Sequence, residues 1–140
     1  MKKYINLAFF YAIAAMAGGV FYREFTKFNG FTGRTTLAFL HTHLFLLGMV
    51  VFLLAALFVS RIPLTGQKTW KPFLVIHQIG VILTSVMMTV RGVLQVLAVP
   101  LTSAQDAMVS GISGLGHLLT GVGIILFFLA LRRAAGTKAA

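Results

Sequence analysis

Two histidines, His41 and His43, lie in an uncharged stretch covering residues 35–60. A polar side chain without a partner is strongly unfavourable inside a bilayer, so the pair indicates a functional site. Neutral imidazole is the commonest side-chain ligand for transition metals. On a helix each residue turns the side chain by about 100°, so positions i and i+2 face nearly opposite sides. The pair therefore predicts two separate sites, one on each side of the same helix.

The composition predicts that these histidines belong to a membrane protein. Of 140 residues, 59% are apolar and 10% are charged, and the mean hydropathy is +0.95. A bilayer core of about 30 Å requires roughly 20 apolar residues in a helix. Four segments are long enough, at about 4–22, 36–59, 72–99 and 109–131. We predict one transmembrane domain over residues 1–140, an all-α, up-and-down four-helix bundle integral to the membrane.

The basic residues predict the orientation of this bundle. They give a formal net charge of +10, but they lie mostly at the ends of the apolar segments and not on a soluble face, so we expect no nucleic-acid partner. Eight fall on one side and three on the other, which predicts both termini in the cytoplasm and a multi-pass protein of the inner membrane. The eight are Lys2, Lys3, Arg61, Lys68, Lys71, Arg132, Arg133 and Lys138, and the three are Arg23, Lys27 and Arg34.

The first apolar segment also has features of a secretory signal. Lys2 and Lys3 precede an apolar run that ends in the small-residue pattern Ala15-Met16-Ala17. Small residues equally suit a close contact between two membrane helices. We expect the segment to be retained as the first span.

The predicted depths bring scattered polar residues to one level. At about 1.5 Å per residue, His41 and His43 lie roughly 9 to 12 Å below the outer start of the second helix. His117 on the fourth helix and Arg91 on the third both fall at about 12 Å by the same reasoning. We therefore expect these four side chains to converge in the outer half of the membrane. His77 enters from the inner side, and for it we expect only an interhelical hydrogen bond.

A heme would suit this predicted layer. No acidic residue is expected beside Arg91, and a buried guanidinium favours an anionic partner such as a heme propionate. Gly48, Gly114 and Gly121 lie on the faces of the histidines and would leave room for a flat ring, although membrane glycines also serve close helix packing. Arg34, at the outer start of the second helix, joins the candidate set on depth. Because the chain has no cysteine, covalent c-type attachment and thiolate metal sites are excluded.

The segment GRTTLAFLHTHLFLLG, residues 33–48, resembles a helix of the catalytic subunit of heme-copper oxidases and nitric oxide reductases. There a His-x-His pair serves two hemes on opposite sides of one helix, which implies that His41 and His43 are axial ligands. That subunit has twelve spans in three four-helix units, and this chain looks like one unit. It is also similar to small bacterial four-helix membrane proteins without an assigned function.

The resemblance has limits that shape the functional prediction. The family's copper centre uses an adjacent His-His pair, which this chain lacks, and no proton-uptake residues are evident, so oxygen reduction and proton pumping do not follow from the resemblance and we assign no catalytic residues. If the protein is an enzyme, the resemblance implies an oxidoreductase. We predict a homotrimer with bis-histidine heme b at each subunit boundary, between His41 of one subunit and His43 of the next, transferring single electrons to an unknown redox partner. Heme held within one subunit by His117 is the competing arrangement. Copper or zinc binding and transport is a competing function, and so is a cofactor-free assembly role.

Overall fold

The structure, a computed structural model, describes residues 1–136 and folds them into four long helices. Helix α1 spans Lys2–Phe28, α2 spans Leu37–Val59, α3 spans Trp70–Val96 and α4 spans Ser103–Gly136, and a 3-10 turn covers Leu64–Gly66. All four helices are long and apolar enough to cross a membrane, and residues 1–136 contain no strand. The prediction of an all-helical protein with four candidate spans is confirmed. Lys138, used above to predict orientation, lies outside the described residues.

Contacts between successive helices run in opposite directions along the two helices, so each helix is antiparallel to the next. This is the up-and-down arrangement expected from the short connections. The pairs that define it are Gly18–Leu40 and Tyr11–Gly48 for α1 and α2, Thr36–Met88 and Leu47–His77 for α2 and α3, and Thr84–Gly116 and His77–Gly123 for α3 and α4.

Glycines bring α3 and α4 close together. A Cβ added to Gly116 would lie 2.7 Å from the hydroxyl oxygen and 2.8 Å from the backbone nitrogen of Thr84. A Cβ added to Gly123 would lie 2.5 Å from the Cβ of His77. The two helices therefore approach at the level of their backbones, as small residues permit in membrane bundles.

Aromatic side chains fill the bundle at the end where α1 begins. The indole nitrogen of Trp70 donates a hydrogen bond of 3.0 Å to the hydroxyl of Tyr4, and both side chains are 2% exposed. Phe73 stacks on Phe127, with 4.7 Å between their ring centroids. This cluster ties α1 to α3 and α3 to α4, and so fixes the relative heights of the helices that carry the histidines.

Several helix ends differ from the sequence prediction, because hydropathy marks the apolar core and not the last backbone hydrogen bond. Helix α1 continues to Phe28, six residues beyond the predicted end. Helix α4 begins at Ser103, where Thr102 and Gln105 form a reciprocal capping box. Helix α3 ends at Val96, just before Ala98, whose φ of 50° is incompatible with a right-handed helix.

Candidate functional site

His41 and His43 point to opposite sides of α2. His41 lies against α1, where a Cβ added to Gly19 would be 3.7 Å from its Cβ and Cγ atoms. Its Nδ1 atom is buried and has no hydrogen-bond partner among the described residues. His43 instead lies beside His117 of α4. The opposite facing predicted from the i, i+2 spacing is confirmed.

His43 and His117 form the closest pair of candidate ligands. Their ring centroids are 6.0 Å apart and their planes are inclined at 85°. These residues are 74 positions apart in sequence, and they meet because each lies at a similar depth on a helix that enters the bundle from the same end. The predicted convergence of these two histidines is confirmed.

Hydrogen bonds fix the orientation of both rings. Nδ1 of His43 lies 2.9 Å from the carbonyl oxygen of Phe39, and Nδ1 of His117 lies 2.9 Å from that of Ser113. A carbonyl oxygen can only accept, so each Nδ1 must carry a proton and donate it. In a neutral imidazole the other nitrogen, Nε2, then has a free lone pair. Both rings are therefore held in the tautomer that can bind a metal through Nε2.

An open groove runs along α4 beside His117. Gly111, Gly114 and Gly121 have no atom within 4 Å of an added Cβ, so nothing in the described structure covers this face. The groove has a volume of about 840 Å³. The space predicted around His117 is present. The remaining walls are apolar: Leu115, Leu118, Val122 and Ile125.

Gly48 does not provide space for a cofactor. A Cβ added there would lie 2.5 Å from the Cγ and Cδ1 atoms of Tyr11, so the ring of α1 already fills the position. Gly48 shares the face of His41, and that face of α2 packs against α1. The prediction that Gly48 makes room for a flat ring is wrong, and the competing interpretation, close helix packing, is confirmed.

Arg91 has an acidic partner that the sequence prediction did not foresee. One of its terminal nitrogens lies 3.2 Å from a carboxylate oxygen of Asp106 and 2.6 Å from the hydroxyl of Ser110. The early start of α4 places Asp106 on its first turn, within reach of the guanidinium. The expectation that Arg91 lacks an acidic neighbour is therefore wrong, and its need for a ligand's anion disappears.

Arg91 also lies at a different level from the histidines. The hydroxyl of Thr36 donates to the carbonyl of Met88, so the start of α2 lies beside Met88, three residues before Arg91 on α3. His43 is seven residues farther along α2, or about 10 Å deeper. Arg34 is exposed in the connection before α2. Neither arginine is brought to the histidine pair.

His77 binds a distorted segment of α2. Its Nε2 donates a hydrogen bond of 2.8 Å to the carbonyl of Leu47, and the side chain is fully buried. Leu47 lies in a π-helical segment, Leu44–Val50, that follows His43 directly. Such segments are rare and are often found at functional sites. The interhelical hydrogen bond expected of His77 is confirmed, whereas no sequence signal marks the π-helical segment.

Comparison with known proteins identifies a family for the chain. The family model described as "Protein of unknown function (DUF2871)" matches residues 1–134. This chain belongs to that family. No curated protein and no solved structure matches it. The comparisons show no link to heme-copper oxidases, so that resemblance stays a prediction from residues 33–48.

Among the described residues, two imidazoles are the candidate ligands that lie together. Across residues 1–136 no group of three or more histidine, cysteine or acidic side chains could hold a metal ion. A zinc site closed by one subunit needs four ligands, which the described residues do not assemble. Two imidazoles match the number of axial positions that a heme iron offers.

Proposed function

We propose that this protein is a membrane-embedded b-type heme protein that transfers single electrons. The observation that supports it best is the His43–His117 pair, in which both Nδ1 atoms are engaged and neither Nε2 atom has a hydrogen bond within residues 1–136. The bundle would cross the bacterial inner membrane with both termini in the cytoplasm, as the distribution of lysine and arginine favours. A heme bound here would supply a one-electron redox centre.

The spacing of the rings supports two ligands on one metal. Two imidazoles that bind one metal through Nε2 must lie close together in the bundle. The observed centroid separation is 6.0 Å. Because both axial positions would be filled by protein, electron transfer is favoured over binding of a substrate at the iron.

The open face of α4 supports a large apolar ligand beside His117, whereas His43 is not among its lining residues. Gly111, Gly114 and Gly121 leave the face of His117 open, and the other walls are aliphatic. A porphyrin ring is flat and mostly apolar, so it suits such a surface. Arg91 is not part of this proposal, since Asp106 already neutralises it.

The geometry favours a heme ligated within one subunit over ligation across a boundary. His43 and His117 lie side by side in a single chain, whereas His41 is directed towards α1 of its own subunit. The homotrimer with heme between His41 and His43 of neighbouring subunits is the competing arrangement.

Heme titration of histidine variants distinguishes the two arrangements. We expect His117→Ala and His43→Ala to lose the six-coordinate spectrum of the purified, heme-supplemented protein, and His41→Ala to keep it. If His41→Ala loses the spectrum while His117→Ala keeps it, the boundary site is correct. A colourless wild type with stoichiometric copper or zinc would instead support a transition-metal site built from several copies.

A further inference from the structure

A second groove lies on a different face of the bundle, between α1 and α3. Its lower part, at the end of the bundle where α1 begins, is lined by Lys3, Asn6 and Gln78 together with apolar side chains. This part has a volume of about 400 Å³. Its upper part has a volume of about 360 Å³ and an almost wholly apolar lining that includes Ala14. Phe10 lines both parts, so they lie next to each other along α1.

The lower end of this groove is polar and cationic. The ammonium of Lys3 lies 4.9 Å from the centre of the Tyr4 ring, a favourable cation–π distance. The hydroxyl of Tyr4 accepts a hydrogen bond from Trp70, which holds that ring in place. No side-chain hydrogen bond of Asn6 or Gln78 is formed among the described residues. Both amides are therefore available to donate to a ligand.

The length of the groove corresponds to one leaflet of a bilayer. From Lys3 to Ala14 it follows eleven residues of α1, or about 16 Å at 1.5 Å per residue. Half of a hydrocarbon core of about 30 Å is roughly 15 Å. A molecule with a head group at Lys3 could therefore extend an acyl chain along Phe10 to the middle of the membrane.

We propose that this groove binds one anionic glycerophospholipid from the leaflet at the Lys3 end. The ammonium of Lys3 attracts the phosphate, the amides of Asn6 and Gln78 donate to phosphate or ester oxygens, and the chain fills the apolar upper part. The charge of Lys3 favours an anionic occupant, because no acidic side chain among the described residues lines either part of the groove to neutralise it. Basic residues at this end of the bundle raise the local concentration of anionic lipid.

The adjacent lysines provide a matched test of the head-group contact. Lys2 and Lys3 carry the same charge, but only Lys3 lines the groove. Native mass spectrometry of the full chain, titrated with phosphatidylglycerol or with phosphatidylcholine of identical acyl chains, measures the affinity for each. We expect one tightly bound phosphatidylglycerol, roughly fivefold weaker binding in Lys3→Gln, and unchanged binding in Lys2→Gln. Equal losses in the two variants, or equal binding of the two lipids, would overturn the proposal.

Filling the groove tests the acyl-chain contact. Ala14→Phe places a ring in the upper part, whereas Ala17→Phe adds the same bulk to an exposed position of α1 outside it. We expect Ala14→Phe to abolish binding of phosphatidylglycerol and Ala17→Phe to retain it. If Ala14→Phe instead changes only the number of protein copies in the complex, the groove is a contact between subunits and the lipid proposal is wrong.

Discussion

Gly114 and Gly116 lie two residues apart on α4, yet the structure predicts opposite effects when each is replaced by alanine. Gly116 packs against α3, where a Cβ would lie 2.7 Å from the Thr84 hydroxyl oxygen and 2.8 Å from its backbone nitrogen. Overpacking of this kind costs about 1 to 3 kcal/mol. At Gly114 an added Cβ meets nothing within 4 Å. There the higher helix propensity of alanine should stabilise the heme-free protein by about 0.5 to 1 kcal/mol.

The free energy of unfolding in detergent, measured with and without heme, checks this prediction. Without heme, Gly114→Ala should be slightly more stable than the wild type and Gly116→Ala clearly less stable. Gly114→Leu extends the test, because its side chain would enter the groove beside His117 and should weaken heme binding without unfolding the bundle. Equal destabilisation by both alanine variants would refute the open face of α4. Unchanged heme affinity in Gly114→Leu would remove that groove from the heme site.

Further predictions concern polar contacts elsewhere in the bundle. Tyr4→Phe should lower the free energy of unfolding by about 1 kcal/mol, since it leaves the buried Trp70 nitrogen without its acceptor. Tyr11→Phe removes a buried hydroxyl with no partner among the described residues and should be neutral or stabilising, so a larger loss than in Tyr4→Phe would contradict this. Asp106→Asn should cost less than about 1 kcal/mol, because the ion pair with Arg91 is partly exposed, and should leave heme affinity unchanged in a heme titration. A marked loss of heme in Arg91→Gln would restore its role as a propionate partner.

The sequence predicted the features that depend on regular helical geometry. Apolar length identified four candidate spans, and the turn per residue placed His41 and His43 on opposite sides of α2. Depth counted from the start of each apolar segment brought His43 and His117 together across 74 positions of sequence. These inferences needed only the rise and rotation of a helix, which neighbouring side chains alter little.

The sequence did not predict the features that depend on which helix faces pack against each other. From spacing alone, Gly48 could either allow close packing of two helices or make room for a ligand. The ring of Tyr11, which fills the position of an added Cβ, decides for close packing. The partner of Arg91 was missed because apolar length placed the start of α4 too late, although the pattern Thr102-x-x-Gln105 is a capping signal that could have located it. The π-helical segment after His43 contacts His77, and no local sequence signal reveals that contact.

The absorption spectrum of the purified protein, supplemented with heme and recorded oxidised and reduced, tests the central proposal most directly. The His43–His117 pair predicts one heme per chain and the spectrum of a low-spin iron with two imidazole ligands, and both should be lost in His117→Ala. A wild-type protein that stays colourless after heme is supplied, or one whose heme spectrum is unchanged in both His43→Ala and His117→Ala, would contradict it.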